Sequence, residues 1–312
     1  MKQRELTLFI GIVFCLSASV LFGALSYYSV WLEPLDGFAV FGWRVVGTVV
    51  LMLLALGITN QGRAFRNVVN EVIHAPRSLL LVVACSALMS IQVWLFGWAP
   101  LNGHAQDLAM GYFLMPLTMV LTGRVLFNEG LSRLQSLAVA LALIGVGAEL
   151  VRHGGVSLVS LVVMLGYPPY FILKRRLNLG ALHSMMLEHL MMLPFGIAIL
   201  YQKNWNWAFF ELHSAGSWAI IAGLGMLGCM ALLCFIAASQ RMPLSLFGML
   251  SYVEPLLLFL VAIALGESFS GADFITYLPI WLAVGCVMLN GWVVYQKNSA
   301  AFATKSSVAP VQ

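Results

Sequence analysis

Long apolar stretches without charge recur along almost the whole chain and constrain its fold more than any other feature. A helix needs about 20 apolar residues to cross the hydrocarbon core of a bilayer, and that length identifies ten candidate spans. They are residues 7–30, 37–58, 78–99, 105–126, 134–151, 156–173, 182–201, 216–238, 243–265 and 274–295. The sequence therefore predicts an all-α polytopic membrane protein with short connections.

The composition leads to the same fold class. Of the 312 residues, 61% are hydrophobic and 9% are charged, whereas about a quarter of a soluble domain is charged. The five cysteines all lie inside apolar runs and lack the spacing of a zinc or redox site, so we interpret them as packing residues. We expect no cofactor, no metal and no nucleic-acid partner.

The lysines and arginines predict the orientation. With the N-terminus inside, 13 of them fall on the cytoplasmic side, and only Arg152 and Lys203 fall outside. Cytoplasmic loops carry the excess of basic residues. We therefore expect both termini in the cytoplasm of a bacterium, with the spans in its inner membrane. The polar segment 298–312 is predicted to be a disordered tail.

Two parts of the chain resemble each other. Tyr112, Pro116 and Glu129 recur as Tyr252, Pro255 and Glu267, at separations of 138 to 140 residues. This separation corresponds to five spans, and an odd number makes the two copies cross the membrane in opposite senses. The sequence thus predicts an inverted-topology repeat of five plus five helices. The predicted boundaries are 1–151, 152–297 and the tail.

The same segments carry a family resemblance. The residues concerned are Trp98, Asn102, His104, Asp107, Gly111-Tyr112-Phe113, Pro116, Leu244-Ser245, Gly248, Tyr252, Pro255 and Gly266-Glu267. They are similar to the RarD subgroup of the EamA, or drug/metabolite transporter, superfamily, over nearly the whole chain. The resemblance implies a ten-helix carrier with a central cavity. The subgroup is named for chloramphenicol sensitivity, which does not define a natural solute.

Ionisable side chains inside spans are expensive and are candidates for function. Arg44 would bind a carboxylate or phosphate, and Glu188 or Glu254 a cation or a coupling proton. The position of Glu254 is usually uncharged in the family that the chain resembles. The alternative is a structural ion pair between Arg44 and Glu188 that only holds helices together.

Further candidates are aromatic or lie near the outer mouth. Tyr112 and Tyr252 are expected to form walls of the site. Trp98 is a further aromatic residue that could form a wall, and Asn102, His104 and Asp107 would either meet the substrate or cap the fourth span.

Prolines and two repeated glutamates complete the set. Proline removes an amide donor from a helix, and paired breaks at Pro116 and Pro255 would mark a midplane site. Pro168 and Pro169 are further expected breaks, and this doublet departs from the family that the chain resembles. Glu129 and Glu267 are interpreted as turn and interface residues rather than transport residues.

These features predict a secondary transporter that exports a small polar or zwitterionic, amino-acid-derived metabolite by alternating access. There is no phosphate-binding loop of the GxxxxGK[ST] type, and no constellation of an intramembrane enzyme. The alternatives are a broad exporter of hydrophobic drugs and a membrane receptor or assembly subunit that moves nothing. The expected partners are the solute, the bilayer and coupling protons, with a homodimer left open.

Overall fold

The computed structural model describes residues 2–127, 132–153, 156–213, 216–241, 247 and 250–307. This part of the chain folds into α-helices joined by short connections. The helices are α1 (Lys2–Tyr27), α2 (Gly37–Ile58), α3 (Gly62–His74), α4 (Pro76–Leu101), α5 (Ala105–Phe127), α6 (Arg133–His153), α7 (Leu158–Leu177), α8 (Ala181–Gln202), α9 (Trp207–His213), α10 (Ser217–Arg241), α11 (Val253–Ala264) and α12 (Phe274–Ser307). Short 3-10 turns lie at Tyr28–Trp31, Asn204–Asn206 and Gly271–Asp273.

The predicted all-α class is confirmed, and the length of the helices fits a membrane. Within the described part, six helical stretches are long and apolar enough to cross a bilayer: Leu6–Trp31, Gly37–Ile58, Pro76–Leu101, Ala181–Gln202, Ser217–Arg241 and Gly271–Asn290. Shorter apolar helices cover Arg133–Ala148, Leu158–Lys174 and Val253–Ala264. The chain is a multi-pass membrane protein.

Helix α3 was not predicted, because the search was for long apolar runs. Its apolar residues Phe65, Val68, Val69 and Val72 recur at helical spacing and pack in one cluster with residues of α4 and α8. Arg63 and other polar residues of α3 are exposed. A helix of 13 residues with one apolar face fails a test for uniform hydrophobicity, although its periodicity is visible in the sequence.

The last helix passes the predicted start of the tail at residue 298. Helix α12 continues to Ser307, and residues 308–312 lie outside the described part of the chain. Ala300, Ala301 and Ala303 lie in this extension. Alanine has the highest helix propensity of all residues, which explains why a helix forms in a segment that lacks the hydrophobicity of a span.

Helix α2 lies in the interior and is held there by glycine contacts. It packs against α4, α8 and α10. A Cβ atom on Gly225 of α10 would stand 2.8 Å from the Cα atom of Gly47, and one on Gly42 would stand 3.0 Å from the carbonyl oxygen of Gly196 on α8. Only glycine allows these backbones to approach so closely. The contacts fix the position of Arg44, which lies between them on α2.

Candidate functional site

Arg44 is buried among α2, α4 and α10, with 2% of its surface exposed. Its Nη1 donates a long hydrogen bond of 3.5 Å to the carbonyl of Val93, and its Cζ lies 5.4 Å from the centre of the Phe96 ring. Its Nε has no hydrogen-bond partner in the part of the chain that the structure describes. A Cβ atom on Gly228 would stand 2.7 Å from this Nε, so the glycine provides the space for the guanidinium group.

The structural alternative for Arg44, a pair with Glu188, is not formed. Glu188 instead accepts a hydrogen bond of 2.5 Å from Lys174 Nζ and one of 3.1 Å from the Tyr170 hydroxyl. The residues that the structure describes provide no carboxylate within ion-pair distance of Arg44. The sequence prediction placed Lys174 beyond the end of the sixth span. Because α7 continues to Leu177, Lys174 lies on its last turn and its side chain faces Glu188.

Glu254 lies in the first turn of α11 and is 2% exposed. Its carboxylate forms no hydrogen bond or ion pair with the residues described here. It borders a small cavity that Tyr112, Tyr167 and Tyr170 also line. The cavity volume is about 10 Å³, which is room for roughly one water molecule. The bundle is thus closed around Glu254.

Two tyrosines connect the surroundings of Glu254 with those of Arg44. The hydroxyl groups of Tyr112 and Tyr167 are 2.7 Å apart, and both residues line the cavity that Glu254 borders. Phe96 contacts the Arg44 guanidinium and also the edge of the Tyr112 ring, at 6.1 Å between ring centres. A cation, two hydroxyls and a carboxylate therefore lie together in the interior.

Two tyrosines distinguish the observed cavity from the predicted site: Tyr167 lines it without having been predicted, and Tyr252 was predicted but lies elsewhere. Sequence reasoning missed Tyr167, although its position beside the Pro168-Pro169 doublet singles it out. Tyr252 was predicted as a wall of the site, but it does not line the cavity that Glu254 borders. Its hydroxyl is buried and has no partner among the described residues.

The candidates predicted at the outer mouth form a separate cluster at the turn between α4 and α5. Asn102 donates a hydrogen bond of 2.7 Å from Nδ2 to the carbonyl of Trp98, which closes the end of α4. The Trp98 ring stacks on the His104 ring with 5.3 Å between their centres. His104 Nδ1 lies 2.7 Å from an Asp107 carboxylate oxygen. These residues satisfy one another and do not line the cavity that Glu254 borders.

The N-terminus of α5 is capped by Glu267, not by Asn102, His104 or Asp107. The Glu267 carboxylate accepts hydrogen bonds from the backbone amides of Ala105, at 2.6 Å, and Gln106, at 2.7 Å. A carboxylate at this position satisfies free amides and complements the helix dipole. The contact joins the loop after α11 to α5, more than 160 residues earlier. Glu129 lies outside the described residues.

Three of the four predicted proline breaks, at Pro116, Pro168 and Pro169, lie within continuous helices. Helix α5 continues through Pro116, and α7 continues through Pro168 and Pro169. Pro255 lies in the first turn of α11, where an amide has no helical acceptor in any case. Just before α11, Ser251 and Tyr252 form a turn, so the helical conformation is interrupted there. Membrane helices tolerate proline when other groups satisfy the freed carbonyls.

A threonine hydroxyl replaces the amide donor that Pro168 lacks. Proline at this position leaves the carbonyl of Met164, four residues earlier, without its helical donor. The hydroxyl of Thr118 on α5 lies 2.6 Å from that carbonyl oxygen and donates to it. Sequence reasoning missed Thr118, because nothing in the sequence shows which helix faces Pro168.

Comparison with known proteins adds the family. No protein-family model matches the chain. The chloramphenicol-sensitive protein RarD of Pseudomonas aeruginosa is 43% identical over 283 residues, which cover 90% of this chain and 93% of that protein. An uncharacterized transporter of Haemophilus influenzae is 33% identical and covers 91% of this chain and 95% of its own.

More distant similarities extend over the same length. Protein RarD of Escherichia coli K12 is 25% identical, covering 93% of this chain and 97% of that protein. A crystal structure superposes with a TM-score of 0.58 at 18% identity, covering 91% of this chain and 98% of that one, and it shows a shared fold. At 43% identity over nine-tenths of its length, the chain belongs to the RarD family of membrane transporters.

Proposed function

We propose that this protein is a secondary carrier of the bacterial inner membrane that exports a small, amino-acid-derived zwitterion by alternating access. The observation that carries the proposal is a pair of buried opposite charges, Arg44 and Glu254, neither of which has an ion-pair partner among the described residues. A zwitterion supplies both missing partners at once.

Arg44 binds the acidic end of the solute. An unpaired guanidinium at the centre of a membrane helix costs about 2.5–3.5 kcal/mol on insertion scales. Its bond to the carbonyl of Val93 is long, at 3.5 Å, and its Nε has no partner among the described residues. A carboxylate can accept two parallel hydrogen bonds from the planar guanidinium. The close packing of α2 on α10 at Gly47, Gly225 and Gly228 holds the guanidinium group in one orientation for the solute.

Glu254 binds the basic end, and the hydroxyls of Tyr112 and Tyr167 hydrogen-bond to the solute between the two charges. Glu188 is a weaker candidate for the basic end than Glu254, because Lys174 already neutralises it. When no cation is bound, a proton on Glu254 removes the unpaired charge. Glu254 is therefore also the candidate for the coupling proton.

The transport cycle would rest on two five-helix halves of opposite orientation, ten spans in all, with both termini in the cytoplasm. The helix packing supports this symmetry, because equivalent helices of the two halves make equivalent contacts with the opposite half. Helix α1 packs on α10 and α11 as α7 packs on α4 and α5, and α2 packs on α10 as α8 packs on α4. Rocking of the halves would enlarge the closed cavity toward one side at a time.

The test compares the spent medium of strains that express wild type, Arg44→Lys or Glu254→Gln. Arg133→Lys and Glu211→Gln, at exposed positions, are the matched controls. Metabolomics should show one or more zwitterions that accumulate with wild type and both controls. Accumulation should fall by at least about ten-fold with either site variant, since each loses a charge-assisted contact of about 1.5 kcal/mol or more. Immunoblots of the membrane fraction check insertion.

Other outcomes favour the alternatives. Uncharged, hydrophobic solutes that leave the cell equally well with Glu254→Gln would indicate a broad drug exporter. Unchanged media from all strains, with normal membrane insertion, would indicate a receptor or assembly subunit. An accumulating zwitterion should finally be loaded in labelled form into proteoliposomes, where Arg44→Lys should slow its exit.

A further inference from the structure

A second and larger cavity lies on another side of α10. Its volume is about 350 Å³, and it is bounded by α1, the turn before α3, the start of α8 and the last two turns of α10. It is open to the surroundings, in contrast to the closed cavity at Glu254. From Leu233 to Arg241 it extends along about 12 Å of helix α10.

One end of this cleft is cationic and rich in hydrogen-bond donors. Arg241 lies on the last turn of α10, where its Nη1 donates to the carbonyl of Ala237 at 2.9 Å and its Cζ lies 5.2 Å from the centre of the Phe14 ring. Its other donors have no partner among the described residues. His183 Nε2 is buried in the wall and likewise has no partner.

The other part of the cleft is apolar. Leu182, Leu233 and Cys234 line it. The described residues that line the cleft include no aspartate or glutamate. Helix α8 begins in the wall at Ala181 without a side-chain cap and without an acidic residue in its first turn. Its positive end adds to the field of Arg241.

We propose that this cleft binds one anionic phospholipid. The headgroup phosphate accepts hydrogen bonds from Arg241, and the upper part of an acyl chain lies along Leu182 and Leu233. The combination of a cationic end and an apolar wall matches an anionic amphiphile better than a soluble anion, which would leave the apolar wall in water. With the topology proposed above, the cleft opens in the cytoplasmic leaflet.

The test measures thermal unfolding of the purified full-length protein in detergent micelles. The probes are phosphatidylglycerol, phosphatidylcholine and free glycerol 3-phosphate, each added over a range of concentrations. Phosphatidylglycerol should raise the Tm of wild type, while the other two should leave it nearly unchanged. Arg241→Gln should raise the lipid concentration for half-maximal stabilisation by roughly ten-fold or more.

Two variants keep the test specific. Arg133→Gln removes the same charge from an exposed position at the start of α6 and should respond as wild type does. Ala237→Leu fills the cleft without any change of charge and should lose the response to phosphatidylglycerol, even if Arg241→Gln does not fold.

Each contrary result overturns the proposal in a distinct way. Equal stabilisation by phosphatidylcholine would mean that the cleft does not select anionic lipid. Equal stabilisation by glycerol 3-phosphate would mean that its occupant is a soluble anion. A loss of response in Arg133→Gln as large as in Arg241→Gln would reduce the effect to overall charge. None of these results depends on the transported solute.

Discussion

Lys174 and Arg44 are both cations in the interior, but only Lys174 has a carboxylate beside it. Lys174 and Glu188 have 12% and 1% of their side chains exposed, and the Tyr170 hydroxyl completes the coordination of Glu188. Removal of one member of such a buried pair leaves an uncompensated charge, which destabilises a protein by about 3–5 kcal/mol. The double replacement avoids that penalty.

The first prediction concerns this pair. Lys174→Met or Glu188→Gln alone should lower the free energy of unfolding by roughly 3–5 kcal/mol, and the double variant should recover much of the loss. Unfolding of the purified protein in micelles measures both effects. The cycle of Arg44→Met with Glu188→Gln is the comparison, and its effects should be additive. Strong coupling there, with none between Lys174 and Glu188, would contradict the structure.

Between the spans, the ion pair of Asp36 and Lys203 joins the start of α2 to the end of α8. Partial burial acts to raise the pKa of Asp36, but the hydrogen bonds from Lys203 and the amide of Ala39 outweigh it, so that the pKa is lowered from 3.8. A lowered folded-state pKa gives stability that is present above the ordinary value and is lost as the pH falls through the lowered one.

The second prediction follows from that sign. Asp36→Asn keeps an oxygen that can accept from the Ala39 amide but removes the charge, so it should cost less than about 1 kcal/mol at pH 7. The difference from wild type should be smaller at pH 3 than at pH 7, because the Asp36 carboxylate is protonated only as the pH falls below its ordinary pKa of 3.8 toward the lowered one. Asp36→Ala also removes the cap of α2 and should cost about 1 kcal/mol more at either pH. Thermal unfolding at pH 7 and pH 3 checks both variants, and a constant Asn effect would contradict the assignment.

At the scale of elements, α7 shows how a helix remains continuous through two prolines. The hydroxyl of Thr118 takes over the carbonyl of Met164 that Pro168 leaves without a donor. The same hydroxyl oxygen lies 2.7 Å from the carbonyl oxygen of Met115 in its own helix, so the two carbonyls share its single proton. The contact between Thr118 and Met164 joins α5 to α7 beside Tyr112 and Tyr167. The prolines therefore contribute to the position of the candidate site without a break in the helix.

The third prediction tests this exchange of partners. Thr118→Val should lower the free energy of unfolding by about 0.6–1.7 kcal/mol, the range for hydrogen bonds between membrane helices. In the Pro168→Ala background an amide is again available to the Met164 carbonyl, and Thr118→Val should then cost close to nothing. Thr122→Val is the control, because its hydroxyl donates within α5 only. An equal cost of Thr118→Val in both backgrounds would contradict the role of the hydroxyl.

At the scale of the whole molecule, the proposed inverted repeat fixes the side on which each connection lies. The fourth prediction places reporter fusions in four of these connections. Fusions at Gln61 and Asn178 should report the cytoplasm, and fusions at Asn102 and Asn204 the periplasm. Phosphatase and fluorescent-protein activities measured in parallel give opposite signals on the two sides. Reversal of any one of the four would remove the basis for two halves of opposite orientation.

The amino-acid sequence was sufficient to predict the membrane environment, the helical class and the approximate positions of the long helices. These features depend on hydrophobicity summed over about 20 successive residues. A segment of that length and hydrophobicity can insert in the bilayer as a helix independently of the rest of the fold. The sequence also marked Arg44, Glu188 and Glu254, because a charge within an apolar run is visible without a structure. Amphipathic α3 was missed because only uniform runs were counted.

The folded structure was needed to identify the partners of those charges. It pairs Glu188 with Lys174, leaves Arg44 beside a carbonyl and Phe96, and assigns the cap of α5 to Glu267. These contacts join residues on different helices, and Glu267 is more than 160 residues from the amides that it caps. Their formation depends on which helix faces lie against each other. Close contacts such as Gly47 with Gly225 set those faces, and hydrophobicity along the chain does not encode them.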